Sequence, residues 1–288
     1  GTIALVAKAN SAEYWVKVRE GAEAAGAELG VTVTFNGPDT EAESDKQLNQ
    51  LQSAIIANPI GIGFAPQDGA QDGAPSLIDE AEAAGIPVAI FDTPLAGSDV
   101  PIATVASDNE GMGAQAAEKL SEMIGGEGKV AIIAHGEVGT AAARRDGFRN
   151  WVEENAPGIE IVDVQNGESD PAKSRDKAQG ILQANQDMAG FFGTDDDSVI
   201  AIADEVATRG LDTKVVGVDS SPDVLTLLEE GGIHGVIVQN PYGMGYQTVE
   251  ILYEASQGNE PAESNVVSES VWVTPDNIND DEVQQVIN

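Results

Sequence analysis

Ile86-Pro87-Val88-Ala89-Ile90-Phe91-Asp92-Thr93-Pro94 and, in the second half of the chain, Thr213-Lys214-Val215-Val216-Gly217-Val218-Asp219-Ser220-Ser221-Pro222 decide the fold. Each is a short, unbroken apolar run that ends in an aspartate, with a proline shortly after. A strand with one wet face alternates apolar and polar residues; a continuous run reads as a parallel strand covered on both faces. The same kind of run recurs at Ile3–Ala7, Val31–Phe35, Gly61–Ala65, Val130–Ala134, Ile159–Val164, Gly190–Gly193 and Gly235–Val238. Helical stretches lie between them. In the first, Val18, Ala22, Ala25 and Leu29 draw one apolar stripe, and Gly30 follows as a C-terminal stop. Strand–helix alternation on this scale predicts α/β architecture with doubly wound parallel sheets.

The chain has 288 residues, and a single hydrophobic core stops growing at roughly 250–300 residues. Two lobes are therefore expected, and the two quoted segments are their matching parts. The first half runs to about Thr104. A second strand–helix series begins after Ser107-Asp108-Asn109, whose polar side chains can cap the next helix.

Charge narrows the function classes. Forty-nine Asp and Glu against fourteen Lys and Arg leave a net charge of −35. Such a surface repels nucleic-acid phosphates and anionic bilayers, so neither is an expected partner. The acidity itself reads as a device for solubility or for a saline or exposed setting. The chain has no Cys, so disulfides, thiolate metal sites and cysteine nucleophiles are out of the question. It has only two histidines, His135 and His234, no Gly-x-Ser-x-Gly elbow and no glycine-rich phosphate loop. No enzyme and no cofactor are expected. No apolar stretch of about 18 residues could span a membrane.

In open α/β sheets ligands bind beyond the C-terminal ends of the strands. The residues there are Lys8 and Asn10, Pro66-Gln67-Asp68, Asp92, His135, Asp195-Asp196-Asp197, Asp219 and Gln239-Asn240. They are polar, acidic and mostly short, the lining that vicinal hydroxyls need. Each Asp also sits where a helix begins, so a helix cap is the competing role. The matched places of Asp92 and Asp219 favour ligand contact for those two. Of Asp195–Asp197, one is expected at the ligand and two as caps or solvated acids. A calcium loop is not expected, because the distal Glu and the Gly of that pattern are missing. Tyr14 and Trp15, adjacent at the first strand-to-helix rim of a chain with 5% aromatics, suggest a stacking plate for a sugar ring. In Gly139-Thr140-Ala141-Ala142-Ala143-Arg144-Arg145-Asp146-Gly147-Phe148, small residues permit close helix approach. Arg144 is read as a ligand donor and Arg145 as a surface ion-pair residue.

These segments together resemble the ribose-binding-like type I periplasmic binding proteins of ABC sugar transporters. The resemblance rests on Thr2–Val6, Ala106-Ser107-Asp108-Asn109, Gly139-Thr140…Arg144…Gly147-Phe148, Val215–Asp223 and Gln239-Asn240-Pro241, and covers nearly the whole chain. It implies two Rossmann-like doubly wound lobes joined by a three-strand hinge, with residues 1–104 plus 240–267 in one and 105–239 plus 268–288 in the other. It implies ligand positions at Tyr14, Trp15, Asp92, Arg144, Asp195, Asp219 and Gln239, with Lys8 as a replacement donor. The implied ligand is a small neutral sugar or polyol; the implied partners are an ABC permease and, as a second reader of the closed form, a chemoreceptor. The implied state is a monomer in the periplasm or outside the cell, with a lipid anchor as one mode of attachment. Departures from a ribose binder fall at Ala12 (for Asn), Thr93 (for Arg), Ser169 (for an aromatic) and Ala65 (for Asn). The class is therefore expected but not ribose itself. An autoinducer-2-like ligand, or the sensing core of a LacI-type regulator, remain alternatives, the latter requiring a basic DNA-binding headpiece.

Overall fold

A computed structural model describes residues 1–11, 13–41 and 43–287. The chain divides into two compact units. The first holds Gly1–Ser107 and Asn240–Glu269, the second Asp108–Gln239 and Ser270–Asn288, so the chain passes between them three times.

In the first unit the order is β1 (Thr2–Val6), α1 (Glu13–Leu29), β2 (Thr32–Asn36), α2 (Ser44–Ile56), β3 (Gly61–Phe64), α3 (Ala74–Ala83), β4 (Val88–Phe91) and β5 (Ala103–Ser107). In the second it is α4 (Asn109–Ile124), β6 (Glu127–Ala134), α5 (Gly139–Asn155), β7 (Gly158–Asn166), α6 (Pro171–Ala184), β8 (Met188–Gly193), α7 (Asp196–Arg209), β9 (Lys214–Val218), α8 (Pro222–Glu229) and β10 (Gly235–Val238). The chain then returns to the first unit for α9 (Pro241–Ser256) and β11 (Asn265–Ser268), and ends in the second with β12 (Val271–Val273) and α10 (Asp281–Ile287).

The two sheets have the same plan: β11-β5-β4-β3-β1-β2 and β12-β10-β9-β8-β6-β7. All ladders are parallel except β10–β12, which is antiparallel. In each sheet the winding reverses at the first strand of the unit, between β1 and β3 and between β6 and β8. That reversal is where α/β sheets open a crevice at their strand tips.

Each sheet is covered on both faces, and residue parity assigns each side chain to one of them. Ile3 and Leu5 pack with α1 and α9, while Ala4 and Val6 pack with α2 and α3. In the second unit Val130 and Ile132 face α4 and α5, and Ala131 and Ile133 face α6 and α7. β2 departs from the expectation of a strand buried on both sides: it alternates exposed and half-buried residues. It forms a sheet edge, where nothing covers its outer flank and Thr32 and Thr34 can stay wet. Gly30, the expected stop of α1, adopts φ +68.

On one face of each sheet two helices touch backbone to backbone. A Cβ on Gly245 would lie 1.9 Å from the Val18 carbonyl oxygen, joining α9 to α1; one on Gly147 would lie 2.0 Å from that of Glu110, joining α5 to α4. The second contact lies one turn from Arg144 and sets its height over the tips of β6 and β8.

Candidate functional site

In the first unit the strand tips gather a compact polar network. Lys8, just beyond β1, brings its Nζ to 2.7 Å from Asp92 Oδ2, with both side chains mostly buried. The same amine donates to Thr93 Oγ1 at 2.7 Å, and Thr93 Oγ1 donates to Asp92 Oδ2 at 3.0 Å. Tyr14 donates its hydroxyl to Asp92 Oδ1 at 2.9 Å. Lys8 and Tyr14 thus both meet Asp92, which brings three of the expected ligand residues together. Thr93, standing where a ribose binder carries an arginine, gives Lys8 its second acceptor.

Asp92 holds φ +66 and Asp219 φ +80, a left-handed conformation that non-glycine residues rarely adopt. Both backbones extend the ladder as they turn: the Asp92 N–H donates to Val105 O and that of Asp219 to Ile237 O, each at 2.9 Å. The pair of strained aspartates at the same place in two sheets marks a functional position more strongly than either alone.

Trp15 departs from the expectation of a stacking plate. It is 1% exposed in the core of the first unit, edge-on to Phe91 at 6.2 Å, with its indole N–H bound to Glu41 Oε1 at 2.6 Å. Helical geometry turns adjacent residues roughly 100° apart, so only one of the two can face the strand tips. That one is Tyr14, half-buried and edge-on to Trp15 at 5.0 Å.

In the second unit Arg144 is 4% exposed. Its Nε donates to Asn109 Oδ1 at 3.0 Å, its Nη1 donates to Thr194 O at 2.8 Å, and Nη1 stands 3.7 Å from Asp219 Oδ2. His135, beyond β6, donates its backbone N–H to the Thr194 hydroxyl at 2.9 Å and brings Nδ1 to 2.7 Å from it. Burial, followed by the Arg144 charge, holds the His135 imidazole below its ordinary range, so it is neutral at pH 7. Burial pushes the Asp219 carboxyl up, against the pull of Arg144.

Asp195, expected at the ligand, is the N-cap of α7: its Oδ1 accepts from Ser198 N–H at 3.0 Å and from Ser198 Oγ at 2.5 Å. The cap occupies Oδ1 and fixes the direction of the carboxylate. The Asp196 carboxyl is raised to about 6 by burial and then by the Asp219 charge. Gln239 is half-buried directly after β10, at the passage between the units. Arg145 forms the expected surface pair with Asp146 at 2.8 Å. Ala12, one of the departures from a ribose binder, lies outside the described residues.

Sequence reasoning missed several supports. Gln47 is fully buried and donates its Nε2 to Ala7 O at 2.8 Å and Ala65 O at 2.7 Å, tying the tips of β1 and β3 at the winding reversal. Its signal was available: it shares a stripe with Leu51 and Ile55, where a polar residue needs a partner. Thr194 and Asn109, which hold Arg144, have no such signal because their partners are distant in sequence.

The electrostatics of the two tip clusters differ. Asp92 is matched by an ammonium at contact distance, whereas Arg144 approaches Asp219 only to 3.7 Å, and Asp195 acts on Asp219 with a like charge. Neither cluster offers an unopposed cation for a phosphate or carboxylate. Among the described residues no group of three or more His, Cys, Asp or Glu is placed to hold a metal ion. No described helix is long and apolar enough to cross a membrane.

The two units share one doubly wound plan, and each places a left-handed aspartate beside a cation at its strand tips. The chain belongs to the periplasmic binding protein family, whose domain matches residues 3–260. It is 28% identical over 268 residues to the D-allose-binding periplasmic protein of Escherichia coli K12, covering 89% of this chain and 85% of that one. Among solved structures it is similar to the sugar-binding protein of a sugar ABC transporter from Bacillus halodurans, with a TM-score of 0.85, 27% identity and coverage of 97% and 99%. A carbohydrate transporter solute-binding protein from Agrobacterium radiobacter, in complex with D-arabinose, matches with a TM-score of 0.76 and 28% identity over 100% and 98% of the chains. The family and these neighbours are binding proteins, not enzymes.

Proposed function

We propose that this chain is the solute-binding component of an ABC sugar importer, capturing one neutral monosaccharide or polyol outside the cytoplasmic membrane and releasing it unchanged to a permease. The observation that carries the reading is the matched pair of left-handed aspartates, each beside one cation: Lys8–Asp92 and Arg144–Asp219. A carboxylate flanked by a donor meets the hydroxyl's two needs, since one oxygen accepts the O–H proton while the ammonium or guanidinium donates to the hydroxyl oxygen. Anionic ligands are disfavoured, because every cation in the clusters is already matched. Tyr14, half-buried with its hydroxyl held by Asp92, offers its ring to the apolar face of a pyranose or furanose.

In this reading the ligand prefers one conformation of the chain, and that differential affinity shifts the population toward it. A micromolar ligand supplies only about 8 kcal/mol in all, so the conformational preference it can impose is smaller than that. The names of the relatives support a monosaccharide: D-allose for one and bound D-arabinose for another. A thermal-shift panel of D-allose, D-arabinose, D-ribose, D-glucose and sorbitol tests it. A ligand at a hundredfold excess over Kd stabilises the fold by ~2.7 kcal/mol, a rise in Tm of several degrees. No shift with any pentose, hexose or polyol, or turnover of one into a product, would overturn the proposal.

A further inference from the structure

We infer that Gln67 and Gln71 are positioning residues for Lys8. With Gln47 they form a one-way relay of amides that fixes where the first unit presents the Lys8 ammonium. On the reading that Lys8 donates to a ligand oxygen, the relay sets how tightly that unit holds a ligand.

The relay starts in the core. Gln47 is fully buried and gives both N–H groups of its side chain to backbone carbonyls, Ala7 O at 2.8 Å and Ala65 O at 2.7 Å. Its Oε1 is left to accept, and it does so from Gln71 Nε2 at 3.1 Å. Gln71, only 3% exposed, donates its other N–H to Ser44 Oγ at 2.8 Å. Gln71 Oε1 then accepts from the Gln67 backbone N–H at 2.7 Å. Gln67 Nε2 ends the relay by donating to the Lys8 carbonyl at 2.8 Å. Backbone carbonyls only accept, so the amides of Gln47 and Gln67 are oriented at the two ends of the relay. Turning over any one of the three side chains would set oxygen against oxygen.

The same loop reaches the other half of the ion pair. Gly69 O accepts from the Ala96 N–H at 2.7 Å, and a Cβ on Gly69 would lie 2.9 Å from Pro94 O. The loop after β3 therefore touches both the segment that carries Lys8 and the segment that carries Asp92 and Thr93. Lys8 lies past the end of β1, on a flexible four-carbon stem. Its Nζ meets Asp92 Oδ2 and Thr93 Oγ1, each at 2.7 Å, only if its backbone is held at the right height. Those two acceptors take two of the three ammonium N–H groups, and the third is the donor for a ligand oxygen.

Gln67 is held this way against its own preference. Its Oε1 is buried and has no hydrogen-bond partner among the described residues. An unpaired buried acceptor is unfavourable, and the bond to the Lys8 carbonyl is what keeps the amide in place.

Calorimetry of the full chain with D-allose and D-arabinose, at a temperature where circular dichroism reports folded variants, tests the inference through a double-mutant cycle. Gln67→Leu is expected to weaken binding about tenfold and Gln71→Met about threefold. In a Lys8→Met background Gln67→Leu is expected to add less than about twofold, because its route to the ligand is gone. If Gln67→Leu does not fold, Gln71→Met takes its place, and its loss must likewise vanish beside Lys8→Met. Folded relay variants that bind within about 1.5-fold of wild type, or losses that multiply in the double variant, overturn the inference. Should neither sugar bind the wild type, the functional reading has failed instead. In that case, or if Lys8→Met leaves no binding to measure, acetylation of the ligand-free chains with acetic anhydride decides. Mapped by mass spectrometry, Lys8 must react several times faster in the relay variant than in wild type, with Lys129 unchanged; an unchanged Lys8 rate refutes the relay.

Discussion

Arg144→Ala is the substitution whose cost can be worked most fully from the structure. The guanidinium makes a 3.0 Å bond to Asn109 Oδ1 and a 2.8 Å bond to the Thr194 carbonyl, and lies 3.7 Å from Asp219. Thr194 is fully buried, so truncation strands its carbonyl at about 1–3 kcal/mol. The Asp219 side chain is 36% exposed, so solvent screening limits the lost ion pair to about 1 kcal/mol of stability. The fold should therefore lose about 2–4 kcal/mol, read from the urea midpoint. Ligand affinity has a separate cost. Without Arg144 the upward shift of the Asp219 carboxyl goes unopposed, and the site loses both a donor and part of its acceptor. About 2 kcal/mol, or roughly 30-fold in Kd, follows. Calorimetry at a temperature where circular dichroism reports a folded variant separates the two effects. Arg144→Lys keeps the charge but not the fork, and belongs between wild type and Ala. A folded Arg144→Ala that binds its sugar within threefold of wild type would refute the assignment of Arg144 to the site.

Two further outcomes follow from packing and titration. Gly147→Ala places a methyl 2.0 Å from the Glu110 carbonyl oxygen, so α5 must lift from α4. A loss of more than about 3 kcal/mol is expected, with Arg144 displaced and affinity reduced; a near-neutral Tm would show that the two helices can part cheaply. The Asp196 carboxyl is raised from its ordinary value of 3.8 to about 6 in the folded state. The folded state therefore holds the proton longer, and stability is lost as pH rises between those values, up to about 3 kcal/mol before screening. Asp196→Asn should recover about 1–2 kcal/mol of this above pH 6 and none near pH 4.

How much was legible can be judged from particular residues. Val88–Phe91 and Val215–Val218 were readable as buried strands because both faces are covered and the code is simply continuous apolarity. β2 was misread for the same reason: Val31–Phe35 contains apolar residues, but only topology tells whether a strand is central or at an edge. Tyr14 and Trp15 were readable as a notable pair, yet which of them faces the strand tips depends on the rotation of α1 against the sheet. Asp195 and Asp196 are chemically identical in the sequence. One caps α7 and the other turns an oxygen inward, away from any described hydrogen-bond partner, because a helix start fixes their directions differently.

By itself the sequence determined the α/β class, the duplication, the acidity and the list of strand-tip residues, since these depend on composition and on periodicities local to a few residues. Only the tertiary structure decided that Lys8 meets Thr93 across 85 positions of chain with Asp92 beside it, and that Arg144 is held by Thr194 and Asn109. The physical reason is that hydrogen bonds and ion pairs act over about 3–4 Å in space, a distance that the order of residues along a chain does not encode.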